Sequence, residues 1–175
     1  MDDLLERWAG LWGAGMAQVW RSYTAAKDAI RAYGRTLVGQ TPARVIYTEG
    51  RLRLLHYAPQ AETRHPVPVL CVPSLINHYY IMDLTPERSL VGSLLRRGLD
   101  VYMLDWGVAT DADRARTLDE YITGLLGRCV QAVQRESGAR AVALLGYCMG
   151  GMMAAVYSVL RPADVAALVN LAGPI

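Results

Sequence analysis

From Val69 onward, short apolar runs alternate with longer stretches whose apolar residues recur at three- and four-residue steps. The short runs read as buried strands and the longer stretches as amphipathic helices. Strands are predicted over Val69–Val72, Val101–Leu104, Val142–Leu145 and Val165–Leu171, and helices over Glu87–Arg97, Leu118–Glu136 and Met149–Leu160. Gly98 and Gly138 stand where the first two helices should stop, and Pro162 follows the third. Upstream, Val45-Ile46-Tyr47 and Leu52–Tyr57 flank Thr48-Glu49-Gly50-Arg51, which predicts an antiparallel hairpin with a glycine turn. A Pro- and charge-containing loop runs from Pro59 to Pro68. Strands alternating with helices imply the α/β class, a mostly parallel sheet with helices on both faces.

Residues 1–40 read differently. Met16, Val19, Trp20, Tyr23, Ile30, Tyr33 and Leu37 follow a helical repeat, and Gly10, Gly13 and Gly15 divide it into two helices. The expected organisation is therefore an amino-terminal helical segment, 1–40, and a catalytic domain, 41–175. Trp8, Trp12 and Trp20 in that segment suit packing onto the domain or, alternatively, a partner or granule surface.

Composition narrows the classes. A hydrophobic fraction of 53% is ample for a core, and a net charge of +2 with scattered arginines excludes a nucleic-acid footprint. The stretch from Ala141 to Leu160 carries no charge and would pass for a membrane span, but three glycines break it into a strand-like and a helix-like half. No transmembrane segment is expected. Cys71, Cys129 and Cys148 are too few and too widely spaced for a disulfide framework or a zinc site. Met1-Asp2-Asp3 opens no secretory signal, so a reducing cytoplasm is the expected compartment.

One cysteine stands apart. Gly146-Tyr147-Cys148-Met149-Gly150-Gly151 lies between the predicted strand ending at Leu145 and the predicted helix beginning at Met149. Strand, tight turn and helix are the setting of a nucleophile elbow, which needs small residues two before and two after the nucleophile. Gly146 and Gly150 meet that need. A thiol at the apex would sit above a helix amino end, where free N–H groups favour a thiolate and an oxyanion. The alternative is a buried structural cysteine.

The elbow, the hairpin and the alternation resemble the first two-thirds of an α/β-hydrolase sheet. Within that fold, four ordered segments resemble polyhydroxyalkanoate synthases: Val72–Leu84, Asp100–Gly107, Asp113–Ile122 and the box around Cys148. Val45–Tyr57 is most similar to the class III type, whose catalytic subunit works with a second subunit. The resemblance covers roughly Pro42 to Ile175. It implies an acyltransferase that polymerises (R)-3-hydroxyacyl-CoA into a storage polyester, with Cys148 carrying the growing chain and coenzyme A leaving. It implies oxyanion donors at the backbone of Met149 and of Leu75 or Ile76; Asp105, Asn77 and His78 are candidates for lying near the site, His78 reading first as a structural or solvated residue. Asp105 reads equally well as a turn or cap carboxylate. No metal or organic cofactor is implied, coenzyme A entering only as the thioester. The implied partners are the growing polyester, a second synthase subunit and further copies of the chain, with polyester granules as the place of attachment.

In this fold the acid and histidine of the triad follow the nucleophile on later loops. No residue here matches either one, so the chain reads as the amino-terminal part of a synthase, truncated after the strand that follows the elbow helix. Val165–Val169 would then be an open apolar edge. Two other readings stay open: a thioesterase or polyester depolymerase on the same fold, and a non-catalytic fragment that binds granules or a synthase subunit.

Overall fold

The computed structural model describes residues 38–62 and 65–174. The helical segment expected over residues 1–40 lies outside the described residues, apart from Val38, Gly39 and Gln40. Six strands form one sheet: β1 Ala43–Glu49, β2 Leu52–Tyr57, β3 Val69–Val72, β4 Val101–Asp105, β5 Val142–Tyr147 and β6 Val165–Leu171. Their order across the sheet is β1-β2-β4-β3-β5-β6. The β1–β2 hairpin is antiparallel and so is the β2–β4 pair, whereas β4, β3, β5 and β6 run parallel.

The central strands are buried on both sides, and the pleat assigns alternate residues to two cores. Leu70 and Val72 of β3, Tyr102 and Leu104 of β4, and Val142 and Leu144 of β5 face one core. Cys71, Met103 and Leu145 face the other. The first core is covered by α2, Gly127–Ser137, with the π-wound turns Glu120–Leu126 that precede it, and by α3, Met149–Leu160. The second is covered by α1, Leu90–Arg96, through Val91 and Leu95. Helices therefore lie on both faces, as the alternation predicts.

Two elements differ from expectation. The helix predicted over Glu87–Arg97 is split: Pro86–Arg88 is one 3-10 turn, and Ser89 takes an extended conformation before α1 begins. Ser89 is a helix cap, its Oγ accepting from the Gly92 N–H at 2.8 Å while donating to the buried Asp83 carboxylate at 2.5 Å. The hairpin turn is also tighter than predicted, because β1 continues to Glu49 and leaves only Gly50 and Arg51 between the strands. Helix ends follow the glycine signals. Gly98 has φ 80 and closes α1 with paired bonds, Gly98 N–H to Leu95 O at 3.0 Å and Leu99 N–H to Leu94 O at 3.2 Å.

The uncharged stretch Ala141–Leu160 resolves into β5 and α3, and no described helix is long and apolar enough to cross a membrane. β6 is the edge of the sheet, with Leu168 40% and Val169 50% exposed. The parallel strands all end on one rim of the sheet. There Val72 leads into Pro73, Asp105 into Trp106, and Tyr147 into Cys148, and such a rim is where parallel sheets place their sites.

Candidate active site

Cys148 is the single residue between β5 and α3, and it carries φ 55 and ψ −127. A non-glycine residue holds that conformation only where its surroundings over-determine it. They do so here. The Cys148 N–H donates to Leu171 O at 3.0 Å, and its carbonyl accepts from the Gly151 N–H at 2.9 Å. A methyl group on Gly146 would lie 2.5 Å from the Gly150 oxygen, so the turn closes only without one. On Gly151 it would meet the Asn170 side chain, with Cγ at 2.9 Å. The elbow read from the six-residue box is thus present, and its glycines are demanded by the packing.

The three cysteines separate by burial. Cys71 and Cys129 are buried, and loss of hydration pushes each thiol up to about 12. Cys148 alone is partly exposed. It stands at the amino end of α3, whose first N–H groups lack intrahelical acceptors. That of Met149 belongs to this set.

The loop after β3 supplies the opposing wall. Ser74 is fully buried, and its Oγ accepts from the Ile76 N–H at 3.1 Å. The Ile76 amide is therefore engaged and the residue is 77% exposed, whereas the Leu75 N–H donates to no acceptor among the described residues. Asn77 and His78 are exposed, and the His78 ring stacks on Tyr80 with centroids 4.9 Å apart.

Asp105 is committed elsewhere. Its Oδ2 accepts from Arg53 Nε at 3.0 Å and Nη2 at 2.6 Å, and its Oδ1 from the Gly107 N–H at 3.0 Å. That geometry fits the turn-forming alternative. His56 bonds Asp100 at 2.8 Å through Nε2 and stacks on Tyr102, and His65 lies exposed in a loop. Among the described residues no histidine or carboxylate is hydrogen bonded to the Cys148 thiol. Cavities of about 220 Å3 beside Asp83 and Arg96, and about 490 Å3 beside Arg44 and His56, include no elbow residue in their walls.

Sequence reading passed over three residues that shape this rim: Ser74, Arg51 and Trp106. Arg51 and Trp106 meet across a chain separation of 55 residues, which local pattern does not reveal. An indole directly after the strand-ending Asp105 was the available signal.

Residues 67–175 match the family described as alpha/beta hydrolase fold, and that span includes β3 to β6 and the elbow. The chain belongs to the α/β-hydrolase family. Residues 18–94 match a second family, the poly-beta-hydroxybutyrate polymerase (PhaC) N-terminus. A poly(3-hydroxyalkanoate) polymerase subunit PhaC from Haloferax mediterranei is 46% identical over 142 residues, covering 81% of this chain and 29% of the relative. Proteins of the same name from Allochromatium vinosum and Synechocystis are 42% and 41% identical, covering 78% and 79% of this chain. The chain spans 39% and 36% of the length of those two relatives. The resemblance to this polymerase group, read from four segments, is therefore borne out along most of the chain. Among solved structures, a thioesterase domain from the curacin biosynthetic pathway superposes with a TM-score of 0.56 at 17% identity, covering 78% of this chain and 46% of that one. Epoxide hydrolase A from Mycobacterium thermoresistibile gives 0.51 at 20% identity, covering 73% and 37%. Both likenesses concern the fold.

Proposed function

We propose that this α/β-hydrolase chain carries the nucleophile of a polyhydroxyalkanoate polymerase and forms a covalent acyl intermediate from (R)-3-hydroxyacyl-CoA. The observation that carries the reading is Cys148: the one partly exposed cysteine, held at φ 55 on the β5–α3 elbow, in a chain whose relatives are named poly(3-hydroxyalkanoate) polymerases.

The Cys148 thiolate attacks the thioester carbonyl carbon. A new C–S bond forms, the bond to the coenzyme A sulfur breaks, and coenzyme A leaves with the proton that Cys148 gave up. The hydroxyl oxygen of a neighbouring unit then attacks the acyl carbon: the ester C–O bond forms, the acyl C–S bond breaks, and the hydroxyl proton restores the Cys148 thiol. Thioester-to-thioester exchange is nearly balanced in energy, so the first step needs charge stabilisation more than driving force. Two backbone donors would supply it, the Met149 N–H and the Leu75 N–H. Leu75 is favoured over Ile76 because the Ile76 amide already donates to Ser74 Oγ. Neither step as proposed calls on a metal or an organic cofactor, and in this fold the proton transfers belong to a histidine and an acid on later loops. The word "subunit" in the relatives' names supports a second synthase subunit as partner. Assembly with further copies of the chain and attachment to the polyester granule belong to the same reading.

Incubation of the chain with 3-hydroxybutyryl-CoA tests it. Intact-mass analysis should show a hydroxybutyryl adduct mapped to Cys148 with matching release of coenzyme A, and Cys148→Ala should show neither. An unmodified wild-type chain, or coenzyme A release indifferent to Cys148→Ala, would overturn the reading. Free 3-hydroxybutyrate without oligomer would point to a hydrolase.

A further inference from the structure

The backbone that delivers Leu75 to the rim is held on two sides. Toward the elbow, Gly150 is so close that a methyl group there would stand 2.7 Å from the Pro73 oxygen. Toward the turn after β4, the same Pro73 oxygen accepts a hydrogen bond from Trp106 Nε1 at 2.9 Å. Trp106 is 4% exposed, and this bond satisfies the one polar atom of its side chain.

The indole is itself braced. Arg51, in the β1–β2 turn, donates through Nη1 to the carbonyls of Trp106 and Gly107, the latter at 3.0 Å. Its Nε pairs with Asp113 at 2.7 Å, and its Nη2 donates to the Tyr121 hydroxyl at 3.0 Å. The Tyr121 ring meets the indole edge-on, with centroids 5.6 Å apart at 78°. One guanidinium thus joins the hairpin turn, the loop after β4 and the start of the π-wound helix around Trp106.

The torsions between β3 and Leu75 follow from these contacts. The pyrrolidine ring fixes φ at Pro73. The Trp106 bond fixes the direction of the Pro73 carbonyl, and with it the Pro73–Ser74 peptide plane. The Ser74 Oγ bond to the Ile76 N–H closes the next turn. With both ends set, the Leu75 amide has little freedom left. The geometry points to Trp106 as a positioning residue: its indole N–H sets the peptide that aims the Leu75 amide across the rim at the carbonyl attacked by Cys148. The inference deepens the proposed function and rests on its assignment of Leu75 as an oxyanion donor.

Acylation and alkylation of one thiol separate this role from simple support. Attack on an ester builds an oxyanion, whereas displacement of iodide from iodoacetamide builds none, so only the first depends on the Leu75 amide. The full chain is treated with p-nitrophenyl acetate or with iodoacetamide, and modification of Cys148 is followed by peptide mass, with Cys148→Ala as blank. In the ester reaction the acetyl C–S bond forms, the C–O bond breaks, p-nitrophenolate leaves with the electron pair and the thiol proton passes to water. Trp106→Phe keeps the ring and removes the N–H, and should slow acetylation about tenfold while leaving alkylation within about twofold. Arg51→Lys, which loses the fork and keeps the charge, should slow acetylation about threefold with alkylation again unchanged. Equal losses in both reactions, or acetylation unchanged in Trp106→Phe, would overturn the proposal. If Trp106→Phe does not fold, the same ratio in Arg51→Lys decides. A wild-type chain acetylated by the ester but not acylated by 3-hydroxybutyryl-CoA refutes the substrate and leaves the positioning role standing. A chain that is alkylated but acylated by neither probe refutes both.

Discussion

Gly150 is where two physical rules predict opposite signs. It is the second residue of α3 and its φ lies outside the left-handed region, so helix propensity alone makes Gly150→Ala stabilising by about 1 kcal/mol. Packing says otherwise. The new β-carbon would stand 2.7 Å from the Pro73 oxygen and 2.8 Å from the Val72 carbonyl carbon, with the Val72 oxygen closer still. Ordinary contact begins at 3.4 Å, so the Pro73 oxygen would have to recede by about 0.7 Å and the Val72 oxygen by more, a displacement in the range where overpacking is costly. No rotamer can relieve this, because the obstacles are backbone atoms and β3 is paired to β4 on one side and β5 on the other. The overpacking loss is expected at about 4 kcal/mol, leaving a net loss of about 3 kcal/mol. Gly138→Ala is the control. Its φ is 72 and nothing lies within 4 Å of the new carbon, so only backbone strain of about 1 kcal/mol applies. Urea unfolding followed by circular dichroism gives both values. A Gly150→Ala chain as stable as wild type, or one that loses no more than Gly138→Ala, would refute the close approach of β3 to the elbow helix.

The buried thiols make a prediction at alkaline pH. Cys71 is raised to about 12 in the folded chain, well above its unfolded value, so folding favours the protonated thiol. Its contribution is complete below about pH 8.5 and is lost toward pH 12, at about 1.4 kcal/mol per pH unit. Urea midpoints between pH 8.5 and 10.5 should therefore fall more steeply for wild type than for Cys71→Ala, and parallel curves would count against a buried, neutral Cys71. Asp105→Asn should cost about 1–2 kcal/mol, because a buried carboxylate loses its charge-assisted bonds while the half-exposed Arg53 stays hydrated. Its Cys148 alkylation rate should stay within about twofold of wild type; a loss of acylation without a loss of stability would instead place Asp105 in the chemistry.

What could be read from the chain and what could not divides by the range of the interactions. The strands were legible because each apolar run is short and bounded, and β3 and β6 begin and end where their apolar runs do, although β6 is an exposed edge rather than a buried strand. The elbow was legible because Gly146, Gly150 and Gly151 all lie within three residues of Cys148, although Gly150 and Gly151 make room for the distant Val72–Pro73 backbone and Asn170 side chain. Ser89 was missed as a cap because Pro86, three residues earlier, is the louder helix-start signal, and its cap is completed by the distant carboxylate of Asp83. The choice between Leu75 and Ile76 was invisible for a different reason. Both are apolar residues in one loop, and only the Ser74 hydroxyl, which accepts from the Ile76 N–H two residues on, distinguishes their amides. Trp106 lay furthest from reach, since its partners are Pro73, 33 residues away, and a guanidinium 55 residues away. A nucleophile can thus announce itself in six residues, whereas the groups that aim charge stabilisation at it come from the tertiary fold. Relatives that share the box around Cys148 but lack an indole donor after β4 should therefore need another donor for the carbonyl at the Pro73 position, because that peptide plane has no local means of holding its direction.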